Sequence, residues 1–220
     1  MKGCEFLSVD PQSPDQEILG KAAQWITKGG LVVFPTSTFY GLGAHAFNAS
    51  AVQRVFRVKE RRPQKPILIL IACLVDLIPL VQSVPTAARR LINAFWPGDV
   101  TLVFYASDVF PPNLTGHTGK IGIRLAAHPV ASALVRAVGS PVTATSANLS
   151  GKGGCVSVTD LDPQIKSRVD LVLDAGELGS GKGSTVVDVT ATPPKILRAG
   201  VMSVEKIRAA LSGTARDGFL

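Results

Sequence analysis

Apolar positions along the chain follow two rhythms that alternate. In "QEILGKAAQWITK", residues 16–28, Ile18, Leu19, Ala22, Trp25 and Ile26 share one face at helical spacing, and Gly29-Gly30 supplies a stop. The following "LVVFP" (31–35) is a short continuous apolar run that predicts a strand. After Asn48, "ASAVQRVFRVKE" returns to the helical period with Val52, Val55 and Phe56 inward, and "PILILIA" (66–72) predicts a strand buried on both faces. Further helices are predicted over 85–95 and 129–138, and strands over 100–106, 120–125, 141–145, 170–174, 184–189 and 195–198. "SVEKIRAAL" ends the pattern as a helix with Ser203 as its N-cap. This alternation predicts an α/β fold: a single domain on one twisted, mixed, largely antiparallel sheet flanked by helices, because several late strands lie too close together for helical crossovers. The expected boundaries are an N-terminal extension at 1–14, the domain at 15–211 and a C-terminal tail at 212–220. Loops at the strand ends are where a site is expected.

Composition narrows the class. With 220 residues, 46% of them hydrophobic, the chain can bury a sizeable core, which excludes a disordered protein. Its longest apolar stretch, Ile67 to Val81, is broken by Asp76 and Pro79 and is too short to span a bilayer. "MKGCEFLSVD" lacks the apolar centre of a secretion signal, and cysteines at 4, 73 and 155 show no metal-ligand spacing. A cytoplasmic protein with no membrane partner and no metal site is expected. Lys and Arg exceed Asp and Glu by 23 to 16, which favours anionic partners such as nucleotides or RNA, but many soluble proteins are basic and the position of the charges has to decide.

Three stretches carry candidate chemistry. "VVFPTSTFYGLG" (32–43) crowds Thr36, Ser37, Thr38 and Tyr40 behind an apolar run. "VKERRPQKP" (58–66) packs Lys59, Arg61, Arg62 and Lys65 at a helix end; they offset the helix dipole there, or, on a loop stiffened by Pro63 and Pro66, grip a triphosphate from several sides. "TATSANLSG" (143–151) offers small hydroxyls and an amide to a ligand, or is a turn leading into an N-cap. "GELGSGKGST" (176–185) nearly spells a phosphate-binding loop, but Gly183 sits where a hydroxyl belongs and "STVVDV" reads as a strand, so that motif is rejected. The histidines are dispersed, and no Ser–His–Asp order or carboxylate pair emerges. Hydroxyls and cations together suit positioning and charge stabilisation of a phosphoryl-containing reactant better than acid–base or covalent catalysis.

Taken together, "PTSTFYGLG", "KERRPQKP", "FWPGDVTLVF", "IGIRLAAHP", "TSANLSG", "STVVDV" and "ILRAG" resemble, in order and spacing, the YrdC-like family of L-threonylcarbamoyl-AMP synthases, from about residue 15 to 210. The resemblance implies a YrdC-like fold and a reaction of L-threonine, bicarbonate and ATP, with Mg²⁺ accompanying the nucleotide, that yields the activated intermediate for N6-threonylcarbamoyladenosine at position 37 of tRNA. It implies a short form without the C-terminal domain of longer relatives, with tRNA-modification proteins and RNA or tRNA as possible partners. Thr38, supported by Thr36 and Tyr40, is implied to face threonine and Arg124 to hold its carboxylate. Lys59, Arg61 and Lys65 match triphosphate-binding positions, Lys59 and Arg61 being the catalytic candidates. Ser146, Asn148, Ser184 and Arg198 match the nucleotide side, with Lys120 added to it. Ser37, Ala126 and Leu70 depart from the family pattern, which usually has Glu or Asp, Pro, and in some members His, there.

Two rivals accompany this assignment. Related domains form carbamoyl-adenylate as carbamoyltransferases, usually inside larger multidomain chains. A non-catalytic protein binding double-stranded RNA by backbone contacts is the other, whereas aromatic residues at 6%, not interleaved with the basic ones, argue against a single-strand stacking platform.

Overall fold

The computed structural model of the chain describes residues 3–179 and 181–213. Its strands are β1 (Glu5–Ser8), β2 (Val32–Pro35), β3 (Tyr40–Gly43), β4 (Ile69–Ile71), β5 (Val100–Tyr105), β6 (Lys120–Leu125), β7 (Val142–Thr143), β8 (Thr145–Ser146), β9 (Leu171–Asp174), β10 (Thr185–Asp188) and β11 (Lys195–Arg198). Its helices are α1 (Gln16–Thr27), α2 (Ala49–Lys59), α3 (Thr86–Phe95), α4 (Pro129–Val138), the one-turn α5 (Pro163–Lys166) and α6 (Val204–Ser212). Local chemistry sets the helix ends. Asp15 Oδ1 accepts from the Glu17 and Ile18 amides at 2.7 and 3.2 Å to start α1, and Glu60, at φ 50°, ends α2 in the left-handed region.

The mixed sheet expected from the sequence is two sheets, of order β1-β9-β2-β3-β8 and β11-β10-β5-β6-β4-β7. The strand predicted over 141–145 is where they meet. Leu70 and Ile69 pair with Val142 and Thr143, the Ala144 amide donates to Leu68 O at 3.0 Å, and Thr145 and Ser146 then pair with Leu42 and Gly41 of the other sheet. One extended stretch therefore changes sheets at Ala144. Parallel and antiparallel pairings are nearly balanced, because β9 inserts parallel between β1 and β2 and β10 and β4 join β5 and β6 in parallel. Residues 5–8, expected in an extension outside the domain, form an edge strand of the first sheet. Of the expected tail, residues 214–220 lie outside the described residues, and Ser212 ends α6.

Strand alternation sorts side chains into two cores. Val33, Ile69, Ile71 and Val172 join Leu102, Phe104, Ile121 and Ile123 in one cluster. Their neighbours Val32, Phe34, Leu70, Leu171 and Leu173 face the other way, against Leu19 and Ile26 of α1 and Val130 and Leu134 of α4. This is why the predicted runs are apolar throughout: both faces are covered. No helix among the described residues is long and apolar enough to cross a membrane.

Candidate active site

The second sheet leaves part of one face uncovered by helices, and there lies a cavity of about 460 Å³. Its floor follows the period of two. Lys120, Gly122 and Arg124 of β6 line it, as do Thr101 and Val103 of β5 and Ser184, Val186 and Asp188 at β10, while Ile121, Ile123, Leu102 and Val187 point into the core. A Cβ on Gly122 would come within 3.2 Å of Thr101 Cγ2, so glycine keeps the floor open between Lys120 and Arg124. The walls are the β2–β3 turn with Thr36 and Thr38, the loop after α2 with Arg61, the sheet-changing stretch with Ser146, and Arg198 of β11.

Four cations, Arg61, Lys120, Arg124 and Arg198, thus face one cavity that has a single carboxylate, Asp188, on its described lining. Burial holds Arg61 below the ordinary arginine value, with repulsion from Arg198 adding to it. Arg124 is pushed down to about 10, first by burial, against which the attraction of Asp99 works, while Arg198 lowers it further. The guanidinium groups are within electrostatic reach of one another and remain cations at neutral pH. Asp188 is held below its ordinary value although burial alone would raise it, because Thr190 and Lys120 donate to it, the ammonium at 3.0 Å. Arg61 is folded back on its own loop by donating to Lys65 O at 3.1 Å and Pro66 O at 2.8 Å. Arg198 donates to Ser184 O through Nε and Nη2 at 3.0 and 2.8 Å, and Ser184 Oγ lies 2.8 Å from Thr101 Oγ1.

Several expected residues sit elsewhere. Lys59 does not line the cavity. It is 1% exposed, and its ammonium donates to Ser146 O and, at 2.7 Å, to Asn148 O, so it braces the loop that presents Ser146. Burial, with Arg61 nearby, pushes it down to about 7. Asn148 belongs to the same brace: its Oδ1 accepts from Ser146 Oγ, and its Nδ2 donates to Leu149 O and Lys152 O at 2.7 and 2.6 Å. Lys65 is exposed and outside the lining. Tyr40 borders the cavity, but its hydroxyl donates to Gly176 O at 2.7 Å and accepts from the Ala175 amide at 3.0 Å, beyond the end of β9. Thr36 Oγ1 donates to Phe39 O at 2.6 Å and accepts from the Thr38 and Phe39 amides, pinning the turn that carries Thr38.

Asp188, Thr101 and Thr118, to which no motif in the sequence assigns a role, also line the cavity, and Asp99, equally unassigned, accepts at Oδ1 from Arg124 Nη1 at 3.3 Å and from Ser37 Oγ. The alternation of "KIGIRL" was the signal that one strand face is set apart from the core. Of the three departures from the family pattern, Leu70 pairs with Arg124 on the cavity face of the sheet but is buried against the α4 cluster and is not on the lining, Ala126 is buried in the same cluster, and Ser37 donates to Asp99.

The family model described as "Telomere recombination", which covers Sua5, YciO and YrdC proteins, matches residues 24–200. The threonylcarbamoyl-AMP synthase of Pyrococcus abyssi is 39% identical over 186 residues, which is 84% of this chain and 55% of that protein, so the chain spans about half the length of this relative. A putative threonylcarbamoyl-AMP synthase of Mycobacterium tuberculosis is 38% identical over 214 residues, 97% of this chain and 98% of its own length. The crystal structure of P. abyssi Sua5 complexed with L-threonine is similar at a TM-score of 0.91 and 36% identity, over 94% of this chain and 61% of that one.

Proposed function

The chain belongs to the Sua5–YciO–YrdC family, and on that premise we propose that it is a threonylcarbamoyl-AMP synthase, joining L-threonine, bicarbonate and ATP into L-threonylcarbamoyladenylate and pyrophosphate. The observation that carries this is the cavity in which Arg61, Lys120, Arg124 and Arg198 meet a single carboxylate. Such an excess of positive charge around one cavity suits a polyanion, and a triphosphate together with an amino-acid carboxylate supplies it.

Arg61 and Arg198, close enough to repel each other, grip the triphosphate, with the Ser146 and Ser184 hydroxyls beside them. Lys120, paired with Asp188, extends the nucleotide side, and Arg124 takes the threonine carboxylate next to Thr38. Lys59 and Asn148 act through the loop they brace, and Lys65 offers a charge outside the cavity. Mg²⁺ enters with ATP as part of the substrate, bound mainly by phosphate oxygens. The reaction itself needs little acid–base machinery. A neutral threonine amine forms a C–N bond to bicarbonate with loss of water, and a carbamate oxygen then bonds the α-phosphorus as the bond to pyrophosphate breaks. Holding three small reactants in one cavity can contribute on the order of 7–11 kcal/mol through lost freedom already accounted for in binding. Arg61 and Arg198 stabilise the charge that grows on the departing pyrophosphate.

The product is a reactive threonylcarbamoyl adenylate, whose threonylcarbamoyl group a partner enzyme would pass to an adenosine of tRNA. These reactants, together with the free thiols of Cys4, Cys73 and Cys155, suit the cytoplasm. The test is pyrophosphate release by the purified protein with ATP and magnesium, omitting threonine or bicarbonate in turn and offering carbamoyl phosphate in a separate arm. Release that requires both threonine and bicarbonate supports the reading. Release driven by carbamoyl phosphate without threonine, or no release at all, overturns it.

A further inference from the structure

Beside the cavity, the turn between α3 and β5 brings Asp99 to Arg124. Neither Asp99 nor Ser37 lines the cavity, yet Arg124 Nη1 and Ser37 Oγ both donate to the same oxygen, Asp99 Oδ1. Arg124 is only 4% exposed, and Asp99 is its ion-pair partner among the described residues. The turn holding Asp99 has little freedom. The Gly98 amide donates to Leu125 O at 3.3 Å, next in sequence to Arg124, and the Thr185 amide donates to Asp99 O at 3.0 Å. Trp96 Nε1 donates to Val100 O at 2.7 Å, and a Cβ on Gly98 would lie 2.3 Å from Phe95 O, so no other residue fits that turn.

A guanidinium has five N–H groups on a planar fork, and a carboxylate fixed at one nitrogen sets the plane of the rest. We propose that Asp99, steadied by Ser37, is a positioning residue that orients Arg124 so that its cavity-side N–H groups meet the carboxylate of the amino-acid substrate and not the phosphates of the nucleotide. Without this hold, Arg124 faces the same cavity as Arg61 and Arg198 and is drawn to the larger anion. The countercharge also makes the amino-acid end less cationic than the triphosphate end, which separates the two substrates by charge. This inference rests on the threonylcarbamoyl-AMP synthase reading.

Calorimetric titration of L-threonine and, separately, of ATP with magnesium into the wild type and into Asp99→Asn, Ser37→Ala and Ser37→Thr tests it, each variant first being checked for a cooperative melt. Asp99→Asn is expected to weaken threonine binding about tenfold or more while ATP stays within about twofold. Ser37→Ala is expected to weaken threonine about threefold, and Ser37→Thr, which keeps the hydroxyl, to restore it. In turnover Asp99→Asn and Ser37→Ala should raise KM for threonine more than they lower kcat. Equal weakening of both ligands, or wild-type threonine affinity in folded Asp99→Asn or Ser37→Ala, overturns the positioning role alone. If Asp99→Asn does not fold, the Ser37 pair decides by the same criteria. Should the wild type bind ATP but no threonine, the proposed function fails and this inference falls with it.

Discussion

Lys59 and Arg61 stand two residues apart at the end of α2 and do opposite things. The left-handed Glu60 between them turns the chain, so Lys59 is buried beneath the Ser146–Asn148 loop while Arg61 faces the cavity. Arg61→Ala should therefore abolish pyrophosphate release with little change in melting temperature. Loss of one charge-assisted contact costs about 1.5–3 kcal/mol in ATP binding, and no core volume is removed. Lys59→Met should instead lower stability, since it leaves the Ser146 and Asn148 carbonyls without their donor. It should also change the pH dependence. Lys59 is lowered from 10.5 to about 7 in the folded protein, so between those values the unfolded chain binds the additional proton and stability rises with pH. Thermal melts at pH 7 and pH 9 should show a smaller rise in Lys59→Met than in the wild type. The sequence placed both cations at a helix end, but which one is buried depends on a loop almost ninety residues further on, and no local pattern carries that information.

Among elements, the stretch 141–146 ties the two sheets together and ends at the cavity. Thr143, fully buried, donates from Oγ1 to Leu42 O at 3.0 Å and accepts from the Ala44 amide at 2.9 Å. Thr143→Val preserves the shape and strands both backbone groups, which should destabilise the fold by about 1–3 kcal/mol in urea unfolding. Turnover should fall as well, because Ser146 hangs on the same stretch. The helices and most strands were legible because burial on one face or both leaves a period in the sequence. "YGLG" was not recognised as β3, since its glycines resemble a turn and its strand character comes from pairing with β2 and β8. Glu5–Ser8 was missed for a related reason: a four-residue edge strand has too short a pattern to register, and its partner lies at the far end of the chain. The site was legible to the same degree. Arg61, Arg124, Arg198, Lys120, Ser146, Ser184 and Thr38 do share one cavity, whereas the hydroxyls of Thr36 and Tyr40 serve the protein itself.

On the scale of the whole molecule, part of the excess of seven positive charges is concentrated, since four cations and one carboxylate open onto one cavity. On the proposed function, salt should therefore act unequally on the two substrates. Raising KCl from 50 to about 300 mM shortens the screening length from roughly 14 to 6 Å, and KM for ATP should increase severalfold while KM for threonine, which that reading assigns to one paired arginine, changes far less. Initial rates across a KCl series check this. The order of strands in the first sheet also imposes a timetable. β9 lies between β1 and β2, yet of the strands of this sheet a ribosome supplies it last, and at about 5–20 residues per second roughly 7–28 s separate the emergence of β2 from that of its partner. Through that interval Val32, Val33 and Phe34 present an unpaired apolar edge to whatever is near, which makes the nascent chain a client for chaperones and a template for strand addition by its neighbours. Ribosome-stalled chains that expose residues up to about 165 should be cut readily by protease within 1–60. Those that expose residues through 213 should resist, because the last strand of this sheet to be made closes its first.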